Sequence, residues 1–316
     1  MLFLSDRDIE NNLTMEETIE TVEMAFKEYA KGNVVMPPRS TIMVEKHKGS
    51  ISFMPSYLTG LEAQATKIIS IYPGNREKGL PTTVAWIIVN DPETGMVKAF
   101  MDATYLTAMR TGAITGVAAK YLAPEDAKVV AIFGAGIQGR TQVMAACAVR
   151  DIEKVYVYDL YPEARTKFAE EMTEKLGIEV IAAESGEDAC RDADIVLTAT
   201  TSPRPVLKRE WLKENVHVSA IGAFYPDWRE LDTATVAESK MVIDDMEGIE
   251  LEAGDILIPI EEGAITWDHV HAELKELVSG QKAGRTPEDT ITVFKSVGIA
   301  IQDSSVANLV LKKLGR

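Results

Sequence analysis

The spacing of apolar residues divides the chain into two kinds of structure. Residues 14–31 read as an amphipathic helix, because Met15, Ile19, Val22, Phe26 and Tyr29 recur at three- and four-residue steps. Thr14 with Glu17 makes a capping box at its start and Gly32 ends it. From Pro37 to Asp102 the pattern shortens to β segments at 41–44, 51–54, 65–71, 83–90 and 97–101, with Asp91-Pro92-Glu93-Thr94-Gly95 as a hairpin signal. This region is expected to be α+β with a largely antiparallel sheet. A helix at 104–122 carries the chain to Pro124, the expected boundary.

Beyond Pro124, strands and helices alternate: strand 127–133, helix 138–149, strand 154–158, helix 162–176, strand 178–182, helix 185–191, strand 194–199 and shorter elements to Asp244. Such alternation predicts a parallel sheet covered on both faces. A strand at 291–294 precedes a last helix at 298–313. At 316 residues the chain fits two domains on a prior of about 150 residues each.

The first alternating unit carries the clearest chemistry. Gly134-Ala135-Gly136-Ile137-Gln138-Gly139 follows the apolar run Val129–Phe133, and Asp159 closes the next run, Val155–Tyr158. In such a turn Gly134 permits the bend, Gly136 lets the backbone approach a pyrophosphate, and Gly139 lets helix and strand pack closely, while unpaired helix N–H groups face the phosphates. Asp159 stands where a carboxylate accepts hydrogen bonds from both hydroxyls of an adenosine ribose. It would repel a 2′-phosphate, so NAD is the expected cofactor and NADP the second choice. The expected fold class is α/β, a Rossmann-type dinucleotide-binding domain joined to an α+β domain.

Composition narrows the partners. A formal charge of −16 argues against nucleic acid, whose binders cluster Lys and Arg against phosphates. Cys147 and Cys190 fall in predicted helices with no disulfide or zinc spacing, which fits a reducing cytoplasm. The N-terminus lacks a signal-peptide apolar core, and no run approaches the roughly 20 apolar residues that span a bilayer. No membrane partner and a cytoplasmic location are therefore expected.

Three cations of the first region stand in suggestive settings: Arg39 after Pro37-Pro38, Lys67 inside an apolar strand, and Arg110 inside an apolar helix before Thr111-Gly112. Buried Lys and Arg need partners. Together they suggest a pocket for a carboxylate, which arginine grips by paired bonds. Desolvation of Lys67 would make it a proton donor or acceptor. The histidines offer less: His269 and His271, two apart on an expected helix, make a poor metal pair, and His47 and His217 suit surface or structural roles. The acidic stretch from Asp244 to Glu252 is expected to be a solvated helix start rather than a metal site.

The chain resembles the ornithine cyclodeaminase and mu-crystallin family, with its archaeal-type alanine dehydrogenase branch, over nearly its full length. The matching pieces are Met36-Pro37-Pro38-Arg39, Lys67 ahead of Tyr72-Pro73-Gly74-Asn75, Lys78-Gly79-Leu80-Pro81-Thr82, Met101-Asp102-Ala103-Thr104, Met109-Arg110-Thr111-Gly112-Ala113, Phe133 to Gln138, and Val293-Phe294-Lys295-Ser296-Val297-Gly298. The resemblance implies a homodimer whose first domain binds substrate and forms the interface. The C-terminal helix would return to it, so that residues 1–120 plus 296–316 surround a dinucleotide-binding domain at 121–295. It also implies that Arg39, Lys67 and Arg110 surround a substrate carboxylate. Thr111, Gln138, Asp159 and the loop at Thr200 would touch the cofactor, and Val297-Gly298 would approach the nicotinamide.

Two departures bear on the reaction. Cyclodeaminase members, and the alanine dehydrogenase branch, carry an Asp where this chain has Phe224. A second cyclodeaminase acid, just before the Met-Pro step, gives way to Ser52 beside Phe53. The run Pro226-Asp227-Trp228-Arg229-Glu230-Leu231-Asp232 and Phe294-Lys295-Ser296 are instead similar to mu-crystallin, a ketimine reductase type. Ornithine cyclisation needs a base for an amine, which a phenyl ring cannot be, with Asp227 as a substitute if the loop is displaced. The expected activity is therefore NAD(P)-dependent reduction of the C=N of a small imino acid, of the cyclic ketimine or pyrroline-2-carboxylate type, to an L-amino acid. The alternatives are alanine dehydrogenase, ornithine cyclodeaminase, and a non-catalytic NAD(P)-linked binding protein.

Overall fold

The computed structural model describes residues 1–315 and divides into two compact units, one of residues 1–110 with the chain from Ile299 onward, the other of residues 111–298. In the first unit the elements are β1 Leu2–Leu4, α1 Asp6–Glu10, α2 Met15–Ala30, β2 Val34–Val35, β3 Ser40–Val44, β4 Gly49–Leu58, β5 Ala63–Ile71, β6 Thr83–Asn90, β7 Val97–Asp102 and the start of α3 Thr104–Leu122. The capping box of α2 forms as expected: Thr14 Oγ1 accepts from Glu17 N at 3.3 Å and Glu17 Oε2 accepts from Thr14 N at 3.4 Å. The sheet runs β1-β7-β6-β5-β4-β2 with β3 also on β4, and only β1 with β7 is parallel. β1, α1 and β2 span five residues or fewer, too short for their periodicity to be legible.

One sheet face is buried. Met54, Ala65 and Ile87 pack there with Val22 and Phe26 of α2 and with the C-terminal helix Ala300–Lys313, whose Ser304 Oγ lies 2.6 Å from Ser56 Oγ. The other face stays apolar and accessible. Phe53, Ile68 and Trp86 stand side by side across β4, β5 and β6, Trp86 stacks on Phe100 at 5.0 Å, and Phe3 meets Phe100 edge-on at 5.8 Å.

The second unit contains β8 Val129–Phe133, α4 Ile137–Val149, β9 Lys154–Tyr158, α5 Pro162–Leu176, β10 Glu179–Ala182, α6 Gly186–Cys190, β11 Ile195–Thr198, β12 Val216–Ala220, α7 Thr233–Ala237, β13 Lys240–Ile243, α8 Met246–Glu252, α9 Gly254–Glu261, β14 Val270–Glu273, α10 Leu274–Val278 and β15 Ile291–Lys295. All eight strands are parallel, in the order β10-β9-β8-β11-β12-β15-β13-β14. Alternate residues feed two cores. Val130 and Ile132 join Val143 and Phe168 on one face; Ala131 and Phe133 join Leu207 and Ala189 on the other.

The first five positions follow the doubly wound order 3-2-1-4-5 of a Rossmann-type fold, which reverses between β8 and β11, and the last strand in sequence, β15, takes the sixth position ahead of β13 and β14. The units part inside α3, between Arg110 and Thr111, rather than near Pro124. The reason is packing: Ala119 and Ala123 belong to the core with Val130, Ile132 and Val143, and Leu122 O accepts from Thr292 Oγ1 at 2.9 Å.

Candidate active site

Lys67 lies on the buried face of β5 and is 1% exposed. A bare ammonium there would be too costly to keep, so a counter-charge is required. The C-terminal helix supplies it. Asp303 Oδ2 stands 2.7 Å from Lys67 Nζ, and Oδ1 accepts from Arg110 Nε at 2.9 Å. The Lys67 contact is at ion-pair distance but off the hydrogen-bond line, which leaves ammonium donors uncommitted. Gln302 Oε1 accepts from Arg110 Nη1 at 2.6 Å and from Ile299 N at 3.3 Å, while its Nε2 is buried without a partner.

Burial pushes the Lys67 ammonium down to about 7; the Arg110 charge pushes the same way, Asp303 opposes it, and Arg39 adds a smaller repulsion. The three cations singled out in the sequence therefore act on one another. Arg39 is half-buried in the segment before β3. Lys67 and Arg110 share a single carboxylate, so the cluster keeps a positive surplus suited to a second one.

At the reversal of the parallel sheet, Gly134 turns with φ +104°, and a Cβ there would fall 2.5 Å from Ala199 O. At Gly139 a Cβ would lie 2.1 Å from Gly134 O, so helix α4 packs against the turn only with glycine. Gly136 differs: nothing in the protein lies within 4 Å of a Cβ built there, and it begins α4 without a side-chain cap. The space is thus kept open by the sequence beside uncapped helix N–H groups, which suits a pyrophosphate.

Asp159 anchors the far side of the turn. Its Oδ2 accepts from Ala135 N at 2.8 Å and its Oδ1 from Tyr161 N at 3.0 Å, leaving lone pairs for ribose hydroxyls. Gln138 Oε1 is buried without a hydrogen-bond partner, and Thr111 O accepts from Gln142 Nε2 at 3.0 Å. The residues present fit a bound NAD.

Two buried acids shape the neighbouring loops, a role that neither shows in the sequence. Glu230 Oε1 accepts from Thr200 N and Oγ1, each at 2.7 Å, and Oε2 from Thr198 Oγ1 and Gly222 N, also at 2.7 Å, so one carboxylate fixes the loops after β11 and β12. Asp244 Oδ2 accepts from Ser296 Oγ at 2.6 Å, Val297 N at 2.9 Å and Gly298 N at 2.8 Å, pinning the turn in which Gly298 has φ +79°. Burial raises both acids above the ordinary carboxylate range. The stretch beginning at Asp244 does start a helix, as expected, with Asp245 capping α8 and Glu247 exposed in its first turn, but Asp244 itself is fully buried rather than solvated. Phe224 is half-buried, with its ring 4.8 Å from that of Tyr225, and Asp227 is exposed.

His269 ends a 3-10 turn and His271 lies in β14, so the pair does not share a helix; their Nε2 atoms bond to Val236 O at 2.8 Å and Ala283 O at 3.0 Å. His217 is structural, fully buried in β12 between Thr292 Oγ1 and Ser219 Oγ. Cys147 and Cys190 lie on helices, and burial pushes both thiols up to about 12.

The sheet order and the glycine turn at its reversal place the chain among Rossmann-type dinucleotide-binding proteins. Comparison with known proteins agrees over the whole length. The chain belongs to the ornithine cyclodeaminase/mu-crystallin family, whose signature matches residues 1–315. It is 40% identical to alanine dehydrogenase of Archaeoglobus fulgidus, covering 98% of this chain and 94% of that one. It is 37% identical to Δ1-pyrroline-2-carboxylate reductase of Bacillus cereus, covering 99% and 96%. Among solved structures it superposes with a TM-score of 0.97 on Thermococcus litoralis Δ1-pyrroline-2-carboxylate reductase in complex with NADH and L-proline, at 51% identity over 99% of this chain and 97% of that one.

Proposed function

We propose that this protein reduces the C=N bond of a small imino acid with NADH, acting on a cyclic ketimine of the pyrroline-2-carboxylate type to give an L-amino acid. It is an NAD-dependent oxidoreductase of carbon–nitrogen bonds; the substrate and the residue roles are the proposal. The observation that carries it is the under-neutralised cluster of Lys67 and Arg110 on the single carboxylate of Asp303.

Arg110, with Arg39, receives the substrate carboxylate and so fixes the ring beside Lys67. The Lys67 ammonium donates its proton to the imine nitrogen, which makes the adjacent carbon electrophilic; near-neutral proton affinity suits a group that gives up a proton at cellular pH. NADH, when bound, supplies the hydride that completes the amine. Gly136 and the start of α4 take its pyrophosphate in the turn that Gly134 and Gly139 shape, and Asp159 takes its ribose, with Thr111, Gln138, Thr200, Val297 and Gly298 as further cofactor contacts.

Phe224 weighs against ornithine cyclodeamination, because it offers no base where the family resemblance expects one. The identity to an alanine dehydrogenase supports a second reading, in which pyruvate and ammonia form the imine in the site. We take the cyclic imine as the primary substrate because of the relative solved with NADH and L-proline. The reading includes a cytoplasmic homodimer, supported by the accessible apolar face around Trp86 and Phe100.

Deuteride-labelled NADH tests the reaction. With Δ1-pyrroline-2-carboxylate we expect L-proline carrying one deuterium at Cα, one NADH being consumed per proline. Absence of labelled proline would refute the reading. Proline and ammonia formed from ornithine without net NADH turnover would replace it with cyclodeamination.

A further inference from the structure

The C-terminal helix turns Ile299, Asp303, Val306 and Val310 toward the interior of the first unit at three- and four-residue steps, so an acid occupies an apolar stripe. Asp303 is 1% exposed. Such a carboxylate is retained only with strong partners, and it has two, one on each oxygen: Arg110 Nε at 2.9 Å and Lys67 Nζ at 2.7 Å. These partners come from different elements, α3 and β5, far apart in sequence. Gln302, one residue earlier, holds Arg110 Nη1 at 2.6 Å, so the helix fixes two edges of the guanidinium and leaves Nη2 outside this network.

We propose that Asp303 is a positioning residue that locks the carboxylate-gripping fork of Arg110 and the proton-donating ammonium of Lys67 into one geometry. It touches no substrate; it acts through the two cations. The inference rests on the imine-reduction reading for its consequence, but the coupling among these residues is measurable without turnover.

The charges facing Lys67 are Arg110 from α3, Asp303 from the C-terminal helix and Arg39 from the segment before β3. Removing the anion disfavours the ammonium, and removing Arg110 favours it while freeing Asp303 for Lys67 alone. Lysines labelled with 13C at Cε report this by NMR titration, the Lys67 resonance being assigned from Lys67→Met. Against a wild-type midpoint of about 7, Asp303→Asn should lower the midpoint by about one pH unit or more. Asp303→Glu, which keeps the charge, should stay within about half a unit, and Arg110→Gln should raise the midpoint.

In turnover, Asp303→Asn should move the alkaline fall of kcat/KM to lower pH by the same amount and raise KM for the imino acid. A purely structural Asp303 would change thermal stability without moving either pH midpoint. An unchanged Lys67 midpoint in Asp303→Asn overturns the proposal; if that variant does not fold, an unchanged midpoint in Arg110→Gln does so. If the wild type reduces no imino acid, the functional reading fails, and the titration still decides the role of Asp303.

Discussion

At the scale of single residues, Lys67 carries the argument. A proton donor with a midpoint of about 7 is mostly charged below that pH and mostly neutral above it. The value of kcat/KM for imine reduction should therefore be flat at low pH and fall as pH rises through about 7, whereas oxidation of the amino acid, which needs neutral Lys67, should rise through the same range. Lys67→Met fills similar space without the amine. It should lower turnover by about 10²-fold or more and leave NADH affinity within about threefold, measured by nicotinamide fluorescence. Equal losses in both would contradict the assignment. The sequence exposed Lys67 and Arg110 because cations in apolar runs need partners. Asp303 gives no such signal, because an acid in a helix ordinarily faces solvent and only the fold brings this one between Lys67 and Arg110.

At the scale of elements, the glycine turn separates packing from binding. Gly139→Ala places a methyl 2.1 Å from Gly134 O and should destabilise the second unit by about 1–3 kcal/mol, read by thermal unfolding. The Cβ of Gly136→Val meets no protein atom within 4 Å, and the position keeps a φ of −82° that other residues adopt. It should leave the melting temperature within about 2 °C while weakening NADH by more than about tenfold. A Gly136 variant that melts early yet binds NADH normally would show that the glycine serves the fold alone. Strand–glycine–helix–strand–acid was legible because each part has its own local signal. The buried acids Glu230 and Asp244 had none, since their partners are backbone N–H groups and hydroxyls that tertiary packing brings together.

For the whole molecule, two consequences concern assembly and acid stability. Trp86, 37% exposed beside Phe100 and Phe3, lies on the face proposed as the dimer interface. Trp86→Glu should yield a folded monomer by light scattering, and an unchanged oligomer would remove that face from the interface. His217 is held neutral down to about 3 by burial and by nearby Arg285 and Arg150, against 6.5 for an ordinary histidine. Between those values the unfolded chain binds the additional proton, so this group makes stability fall as pH falls. His217→Gln should reduce the loss between pH 7 and pH 5 by about 2 kcal/mol in urea unfolding, relative to wild type. The reaction itself is tested most directly by initial rates of NADH oxidation with Δ1-pyrroline-2-carboxylate and with pyruvate plus ammonia, under identical conditions. Reduction of a preformed imine predicts a kcat/KM at least about 100-fold higher for the cyclic imine, an advantage of roughly 2.7 kcal/mol in transition-state binding. Equal rates, or a preference for pyruvate with ammonia, would contradict it.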